Sequence, residues 1–94
     1  MRVVWTSGAL ADVDQIQDYV AQDRPIAAYQ LARALIGRTN ALLADNPLAG
    51  RRGRAVETRE LVVTGTPYIV VYRVLDAVEV LAVLHGARKP RGND

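Results

Sequence analysis

Residues 59–89 read RELVVTGTPYIVVYRVLDAVEVLAVLHGARK, and this stretch decides the fold. It contains most of a first apolar run rich in β-branched residues, at about Val56–Thr64, and two further runs at about Pro67–Leu75 and Val78–His85. Gly65-Thr66 and Asp76-Ala77 separate the runs. Apolar runs of this length bounded by turn residues are typical of adjacent antiparallel strands. The stretch therefore predicts three consecutive strands, with a few Arg, Tyr and His side chains set into them.

The N-terminal half predicts one more strand and a first helix. Arg2–Trp5 is a short apolar run, and either Thr6 or Ser7 can serve as the N-cap of the helix that follows. Asp12 and Asp14 then lie near the positive end of the helix dipole. One apolar stripe recurs at helical spacing and consists of Leu10, Val13, Ile16 and Val20.

Asp23-Arg24-Pro25 separates this helix from a second one. Asp23 is expected to be the N-cap, and Pro25 is tolerated in the first helical turn. The helix is expected to end before Asn46-Pro47, because the residue before a proline avoids the helical conformation. Its apolar side consists of Ala28, Leu31, Leu35 and Leu42. Two helices joined this closely form an antiparallel hairpin.

The element order β-α-α-β-β-β predicts an α+β fold. We expect one domain over residues 1–94, with the helix hairpin packed on one face of a mostly antiparallel four-stranded sheet. Residues 48–54 (LAGRRGR) contain two glycines and three arginines, so they predict a flexible basic loop.

The composition excludes several classes of protein. With no cysteine and one histidine, neither a disulfide framework nor a typical zinc site is expected, and no cofactor is implied. No apolar run reaches the roughly 18–20 residues that span a bilayer, and the apolar N-terminal segment is too short for a signal peptide. A cytoplasmic protein is the simplest expectation.

The basic residues are concentrated in the second half. Residues 1–46 carry four Arg against five Asp, whereas residues 47–94 carry seven Arg and one Lys against five acids. Arg is the side chain suited to bidentate contacts with phosphate or carboxylate. The imbalance is compatible with an anionic partner, although a solvated basic surface without such a partner explains it equally well.

Strand alternation predicts which polar side chains share a face. If both connecting turns contain two or four residues, the strand register places Arg59 opposite Tyr72 and Tyr68 opposite His85. These four residues are then expected on the face away from the helices. The opposite, helix-covered face would receive Val62, Ile69, Val71, Val80, Ala82 and Leu84, with Arg73 near its end as the ion-pair partner of a helix acid.

The four polar residues have a functional and a structural interpretation. Arg supplies positive charge, Tyr a stacking surface and His a proton donor or acceptor, so the set could bind a partner or RNA and assist phosphodiester cleavage. Alternatively, the Tyr and His side chains complete an amphipathic sheet and form local hydrogen bonds. The basic tail of Arg88, Lys89 and Arg91 can be a solvated terminus without a function. Alternatively, it is a site for phosphate or an acidic partner and acts with Arg51, Arg52 and Arg54 if the loop folds to the same side.

Motifs along nearly the whole chain resemble those of the RelE/ParE family of bacterial toxins from type II toxin–antitoxin modules. They are A-x-x-D-hydrophobic at residues 9–13 followed by Tyr19, N-P-x-x-G-R at 46–51, T-R-E-L at 58–61, P-Y-x-x-x-Y-R at 67–73 and L-H-G-x-R at 84–88. Their order and spacing together carry the resemblance, since none of them is diagnostic alone.

The resemblance implies a toxin neutralised by a small antitoxin that wraps it with a helical or extended, often acidic, segment. Two targets are implied: ParE-like members are associated with inhibition of DNA gyrase, and RelE-like members cleave messenger RNA on the ribosome. A toxin-derived domain that keeps only antitoxin binding is a third reading.

The departures from the RelE pattern favour a ParE-like toxin. RelE-type nucleases commonly carry an Arg directly after the Tyr of the third strand, where this chain has Ile69, and they carry a Tyr near the C-terminus, which is absent after Tyr72. If the chain is nevertheless a nuclease, Arg59, His85 and Arg88 are the expected catalytic residues. The expected target- or partner-binding residues are Arg51, Arg52, Arg54, Arg59, Tyr68, Tyr72, His85, Arg88 and Lys89.

Overall fold

The computed structural model describes residues 1–87. Two helices follow the first strand, and four further strands follow the helices. The elements are β1 (Val3–Trp5), α1 (Ser7–Ala21), α2 (Pro25–Asp45), β2 (Arg51–Arg52), β3 (Arg59–Val62), β4 (Tyr68–Val74) and β5 (Val78–His85). The predicted basic tail of Arg88, Lys89 and Arg91 lies outside the described residues.

All five strands belong to one sheet in the order β1-β5-β4-β3-β2. β1 runs parallel to β5, and the other neighbours are antiparallel. This confirms the predicted α+β fold, with one addition. Arg51 and Arg52, which were expected in a flexible loop, form the short edge strand β2 against Glu60 and Arg59.

The helix hairpin follows the predicted bounds, with two corrections to its details. Thr6 is the N-cap of α1, and its hydroxyl accepts a hydrogen bond from the Ala9 N–H at 3.2 Å. The N-cap of α2 is Arg24 rather than Asp23, and no side chain caps that end. Leu10 and Leu42 were expected in the core, but both are exposed. Each lies to one side of the residues that its helix buries, which are Ala9 and Val13 in α1 and Ala28, Ala32, Leu35, Thr39 and Leu43 in α2.

The core lies between the helix hairpin and one face of the sheet. Helix residues such as Val13 and Leu35 form one cluster with Val70, Tyr72 and Val83 of the strands. The prediction that Tyr68, Tyr72 and their neighbours face away from the helices is therefore wrong. Both faces of these strands carry apolar residues, so alternation alone did not indicate which face the helices cover.

A β-bulge separates the two ends of the β4–β5 pair. Tyr68 lies opposite His85 and Val71 opposite Ala82, but the register shifts between Val71 and Tyr72, so that Tyr72 lies opposite Val80. The connection after Val74 is accordingly the three residues 75–77 rather than the expected two. An extra residue in one strand reverses its side-chain parity. This explains why Val80 belongs to the helix-covered face, as predicted, together with Tyr72.

Arg73 occupies the face away from the helices and not the predicted helix-facing side. It is exposed, and its Nε lies 2.8 Å from Glu79 Oε1 on the adjacent strand. Its partner is thus a strand acid instead of a helix acid, because Arg73 alternates with the buried Tyr72. Within residues 1–87, neither helix is long and apolar enough to cross a membrane.

Candidate partner-binding surface

The register brings together the polar pairs that alternation predicted. Arg59 lies opposite Tyr72, and Tyr68 lies opposite His85. Because Tyr68 and Tyr72 are four residues apart on β4, all four side chains belong to one face. Their shared face is confirmed, but it is the helix-covered face, so each side chain has to be assessed by its contacts.

Tyr72 anchors the chain that leads into β2. Its side chain is fully buried, its hydroxyl donates to the Pro47 carbonyl at 2.8 Å, and the Gly50 N–H donates back to that hydroxyl at 2.8 Å. A Cβ on Gly50 would lie 2.8 Å from the Tyr72 ring and from the Glu60 carbonyl, so glycine is needed for this close approach. Tyr72 therefore has a structural role and offers no surface for stacking.

A buried carboxylate organises the arginines of the same region. Glu60 is 5% exposed, and its two oxygens lie 3.6 Å from Arg51 Nη2 and 3.5 Å from Arg54 Nε. The backbone N–H of Arg54 also donates to Glu60 Oε2 at 3.2 Å. A buried carboxylate needs such partners to offset its desolvation. Glu60 thus holds β2 and the following loop against the sheet.

We call Arg51, Arg52, Arg54 and Arg59 the arginine corner. Arg59 Nη1 donates to the Gly50 carbonyl at 2.8 Å, so this side chain also secures the loop. Arg52 differs from the other three, since its guanidinium makes no hydrogen bond or ion pair within residues 1–87. Arg52, Arg54 and Arg59 line one open cleft beneath the loop. Arg52 is therefore the corner's most available group for an external anion.

His85 and Tyr68 form a second polar group at the other end of β4. Their rings meet edge to face at 5.4 Å between centroids. The His85 Nδ1 accepts a hydrogen bond from the Ala87 N–H at 3.1 Å, which leaves Nε2 to carry the proton in the neutral ring. Tyr68 is buried, whereas His85 retains partial exposure. Of the two, only His85 has access to a partner.

The structure does not bring Arg59 and His85 to one reaction centre. Their partners on β4, Tyr72 and Tyr68, are four residues apart, which corresponds to about 13 Å along the strand. General acid–base catalysis requires groups within hydrogen-bond reach of the same substrate atoms. Arg88, the third expected catalytic residue, lies outside the described residues. Residues 1–87 also contain no group of three His, Asp or Glu side chains that could hold a metal ion.

Two further polar residues were not identified from the sequence. Glu60 has the ordinary appearance of a strand residue beside an Arg-rich loop, and only that proximity could have indicated its ion pairs. Asp12 was interpreted as a dipole partner, but its Oδ2 accepts a hydrogen bond from the Val83 N–H at 2.9 Å. Both contacts join distant parts of the chain, so local patterns contain little information about them.

The family model described as "ParE toxin of type II toxin-antitoxin system, parDE" matches residues 3–90. The chain belongs to this ParE toxin family. It is 44% identical over 84 residues to the putative toxin Y4kP of Sinorhizobium fredii, covering 89% of this chain and 86% of that protein. It is 42% identical over 88 residues to toxin RelE2 of Caulobacter vibrioides, covering 93% and 97%.

A solved structure supports the same assignment. A chain of the chromosomal ParDE toxin–antitoxin system from P. aeruginosa superposes with a TM-score of 0.82 and 25% identity. The match covers 90% of this chain and 95% of that one. The similarity includes both the helix hairpin and the sheet, so the ParE toxin fold accounts for nearly the whole molecule.

Proposed function

We propose that this ParE-family protein inhibits DNA gyrase in the cytoplasm, arrests growth, and is neutralised by a cognate antitoxin. The observation that carries the proposal is the match of residues 3–90 to the ParE toxin family. The separation of Arg59 from His85 and the burial of Tyr68 and Tyr72 support a binding mode of action over nuclease chemistry. The ParDE structural relative supports the antitoxin.

The arginine corner and His85 are the proposed contact residues on the described part of the chain. Arg51, Arg54 and Arg59 each have structural partners, so their guanidinium groups are positioned before a target arrives. Arg88 and Lys89 complete the proposed set beyond the described residues. Preorganised cations bind anionic surfaces with a smaller loss of side-chain entropy. Tyr68 and Tyr72 support the fold beneath this surface.

The test is a supercoiling assay with purified gyrase and an excess of the toxin. We expect inhibition, and we expect it to be relieved by the protein encoded by the gene adjacent to that of the toxin. Supercoiling that continues unchanged at high toxin concentration would overturn gyrase as the target. Failure of the adjacent gene product to bind would separately overturn the antitoxin assignment.

A second candidate function is ribosome-dependent cleavage of messenger RNA. The partial exposure of His85 favours it, because the imidazole remains accessible at the end of β5. Message cleavage by wild-type toxin, lost in His85→Ala, would move the function to this class. Intact message on toxin-treated ribosomes would remove it. Absence of growth arrest on expression would instead indicate a domain that only binds the antitoxin.

A further inference from the structure

The two residues of β2 form different charge pairs with β3 on the two faces of the sheet. Arg51 lies opposite Glu60, and the Arg51 Nη2 lies 3.6 Å from the Glu60 Oε1. Arg52 lies opposite Arg59, so two arginines are direct cross-strand neighbours. Like charges directly opposite one another on adjacent strands destabilise a sheet. The pairing is therefore complementary on one face and repulsive on the other.

No acid of the described chain relieves the repulsion between Arg52 and Arg59. The Arg59 Nη1 donates to the Gly50 carbonyl at 2.8 Å and to the Leu48 carbonyl at 3.4 Å. These carbonyls orient the guanidinium group, but they carry no net charge. Arg52 makes no ion pair within residues 1–87. An anion between the two side chains would form charge-assisted hydrogen bonds with both and replace repulsion by attraction.

These two arginines line a cleft of about 630 Å³ beneath the loop that joins β2 to β3. Arg54 also lines the cleft, but its Nε lies 3.5 Å from the buried Glu60 carboxylate, which neutralises part of its charge. Among the described residues, Glu57 is the one carboxylate in the lining, and it forms no ion pair with an arginine. Even with the Arg54–Glu60 pair set aside, two cations and one anion remain in the cleft.

The loop above the cleft is held in one conformation at a cost in backbone energy. Glu57 has a φ of 62°, in the left-handed region that residues other than glycine rarely adopt. The Gly53 N–H donates to the Thr58 carbonyl at 2.8 Å, and the Thr58 hydroxyl donates to the Ala55 carbonyl at 2.7 Å. Backbone strain persists only where the surroundings fix it, and it is concentrated at binding sites. The loop thus positions the arginines before a ligand arrives.

Apolar side chains adjoin the positive charge in the cleft. Leu48 and Val56 are exposed, and Val74 completes the apolar part of the lining. A phosphodiester backbone fits this combination, because its phosphate oxygens accept bidentate hydrogen bonds from arginine and its sugar carbons lie beside them. A single protein carboxylate would neutralise one of the two unpaired guanidinium groups, whereas successive phosphates of a polymer would neutralise both.

We propose that the Arg52–Arg59 pair and the cleft around it bind the phosphate backbone of DNA. The proposal rests on the proposed function, because a protein that binds gyrase meets the DNA that gyrase holds. The phosphates lie between the two like charges, so the cost of placing these charges together is recovered on binding. Contacts to phosphate carry no sequence information. Binding is therefore independent of base sequence and weakens as the salt concentration rises.

The test is the binding of a short, fluorescently labelled DNA duplex to the full-length toxin, measured by anisotropy at a series of salt concentrations. The principal variant is Arg52→Gln, and its matched control is Arg24→Gln, which removes the same charge from an exposed position on the helix hairpin. We expect Arg52→Gln to reduce the slope of log affinity against log salt by about 0.9, and to weaken binding about eightfold at about 0.1 M salt. Arg24→Gln should leave the slope unchanged.

Glu57→Gln is a second variant with an effect of the opposite sign. It removes the one carboxylate from the described lining of the cleft, so we expect binding to be about twofold tighter than in the wild type. An unchanged salt slope in Arg52→Gln, or an unchanged affinity in Glu57→Gln, would overturn the site.

Two further ligands and the gyrase assay complete the test. Tighter binding of a duplex RNA or of a poly-glutamate peptide than of the DNA duplex would overturn DNA as the ligand. Inhibition of gyrase by a wild-type toxin that does not bind the duplex would overturn the site and leave the proposed function intact. Duplex binding that depends on Arg52, without inhibition of gyrase, would support the site and overturn the proposed function alone.

Discussion

The two edges of the sheet are covered to different extents. At one edge β1 is three residues long, and beyond it α1 supplies the missing partners: the Thr6 hydroxyl donates to the Val80 carbonyl, and the Asp12 carboxylate accepts from the Val83 N–H. At the other edge β2 is two residues long. Among residues 1–87, Arg38 is the one side chain that bonds the edge beyond β2, at the Thr64 carbonyl.

The two edges therefore differ in their backbone polar groups: some are bonded within the chain, and others are free to bond another chain. Buried polar groups that have partners inside the chain stabilise the fold, whereas an uncovered strand edge is a template for another chain. Beyond β1, the chain supplies partners for the Val80 carbonyl and the Val83 N–H of β5. At the β3 edge, the outward N–H and C=O of Val62 have no partner within residues 1–87.

The largest expected effect comes from Tyr72→Phe, which removes the hydroxyl that turns residues 47–50 away from the β3 edge. The Pro47 carbonyl and the buried Gly50 N–H would each lose a partner. We expect a loss of about 3 kcal/mol in the free energy of unfolding, measured with urea. Tyr29→Phe is the control, since the Tyr29 hydroxyl bonds Arg33 on an exposed surface. Equal losses in both variants would contradict the anchoring role.

Asp12→Ala tests the covered edge. Removing the carboxylate leaves the buried Val83 N–H without its acceptor, so we expect a loss of about 2 kcal/mol in the free energy of unfolding. Asp14→Ala is the matched control, because Asp14 lies two residues later on the same helix and is exposed. If the two variants unfold at the same urea concentration, the Val83 contact contributes nothing and the edges do not differ as described.

The sequence predicted the local features of these edges better than their surroundings. An N-cap at Thr6 or Ser7, the bounds of β5 and the pairing of Arg59 with Tyr72 follow from spacing and turn chemistry within a few residues, and the structure selects Thr6 as the cap. The sequence does not indicate which face of the sheet the helices cover, because Val62 and Val63 are equally apolar and lie on opposite faces. The β-bulge near Tyr72 depends on packing between strands and has no signature in the Asp76-Ala77 turn.

The candidate site shows the same division. Arginines at the corner were identified by composition, but their roles depend on Glu60 and on carbonyls from residues 47–50, which only the fold brings near. Strand alternation assigned Tyr72 to the face away from the helices, either as a stacking surface or as a residue that forms local hydrogen bonds. Its hydroxyl finds backbone partners more than twenty residues earlier in the chain, and no local pattern indicates that contact.

Thr39→Val tests the region beside the uncovered β3 edge. The buried hydroxyl has no partner within the described residues, so replacing it with a methyl group should raise the free energy of unfolding by about 1 kcal/mol. Thr39→Ser keeps the hydroxyl and loses the methyl group, so it should lower stability by about 0.8 kcal/mol. Urea unfolding of both variants distinguishes the contributions. A destabilised valine variant would show that the hydroxyl is satisfied in solution.

The smallest effect on stability is expected at Arg52. At this position, a substitution can change binding to a target without changing the free energy of unfolding. Because its guanidinium makes no contact within residues 1–87, Arg52→Gln should change the free energy of unfolding by less than about 0.5 kcal/mol. If the corner contacts an anionic surface, the variant should still inhibit gyrase less than Arg24→Gln, which removes one charge from the helix hairpin instead. Equal inhibition by the two variants would mean that Arg52 acts only through the net charge of the protein. Long-range electrostatic steering depends on the combined field of all charges, whereas a direct contact depends on the position of one charge.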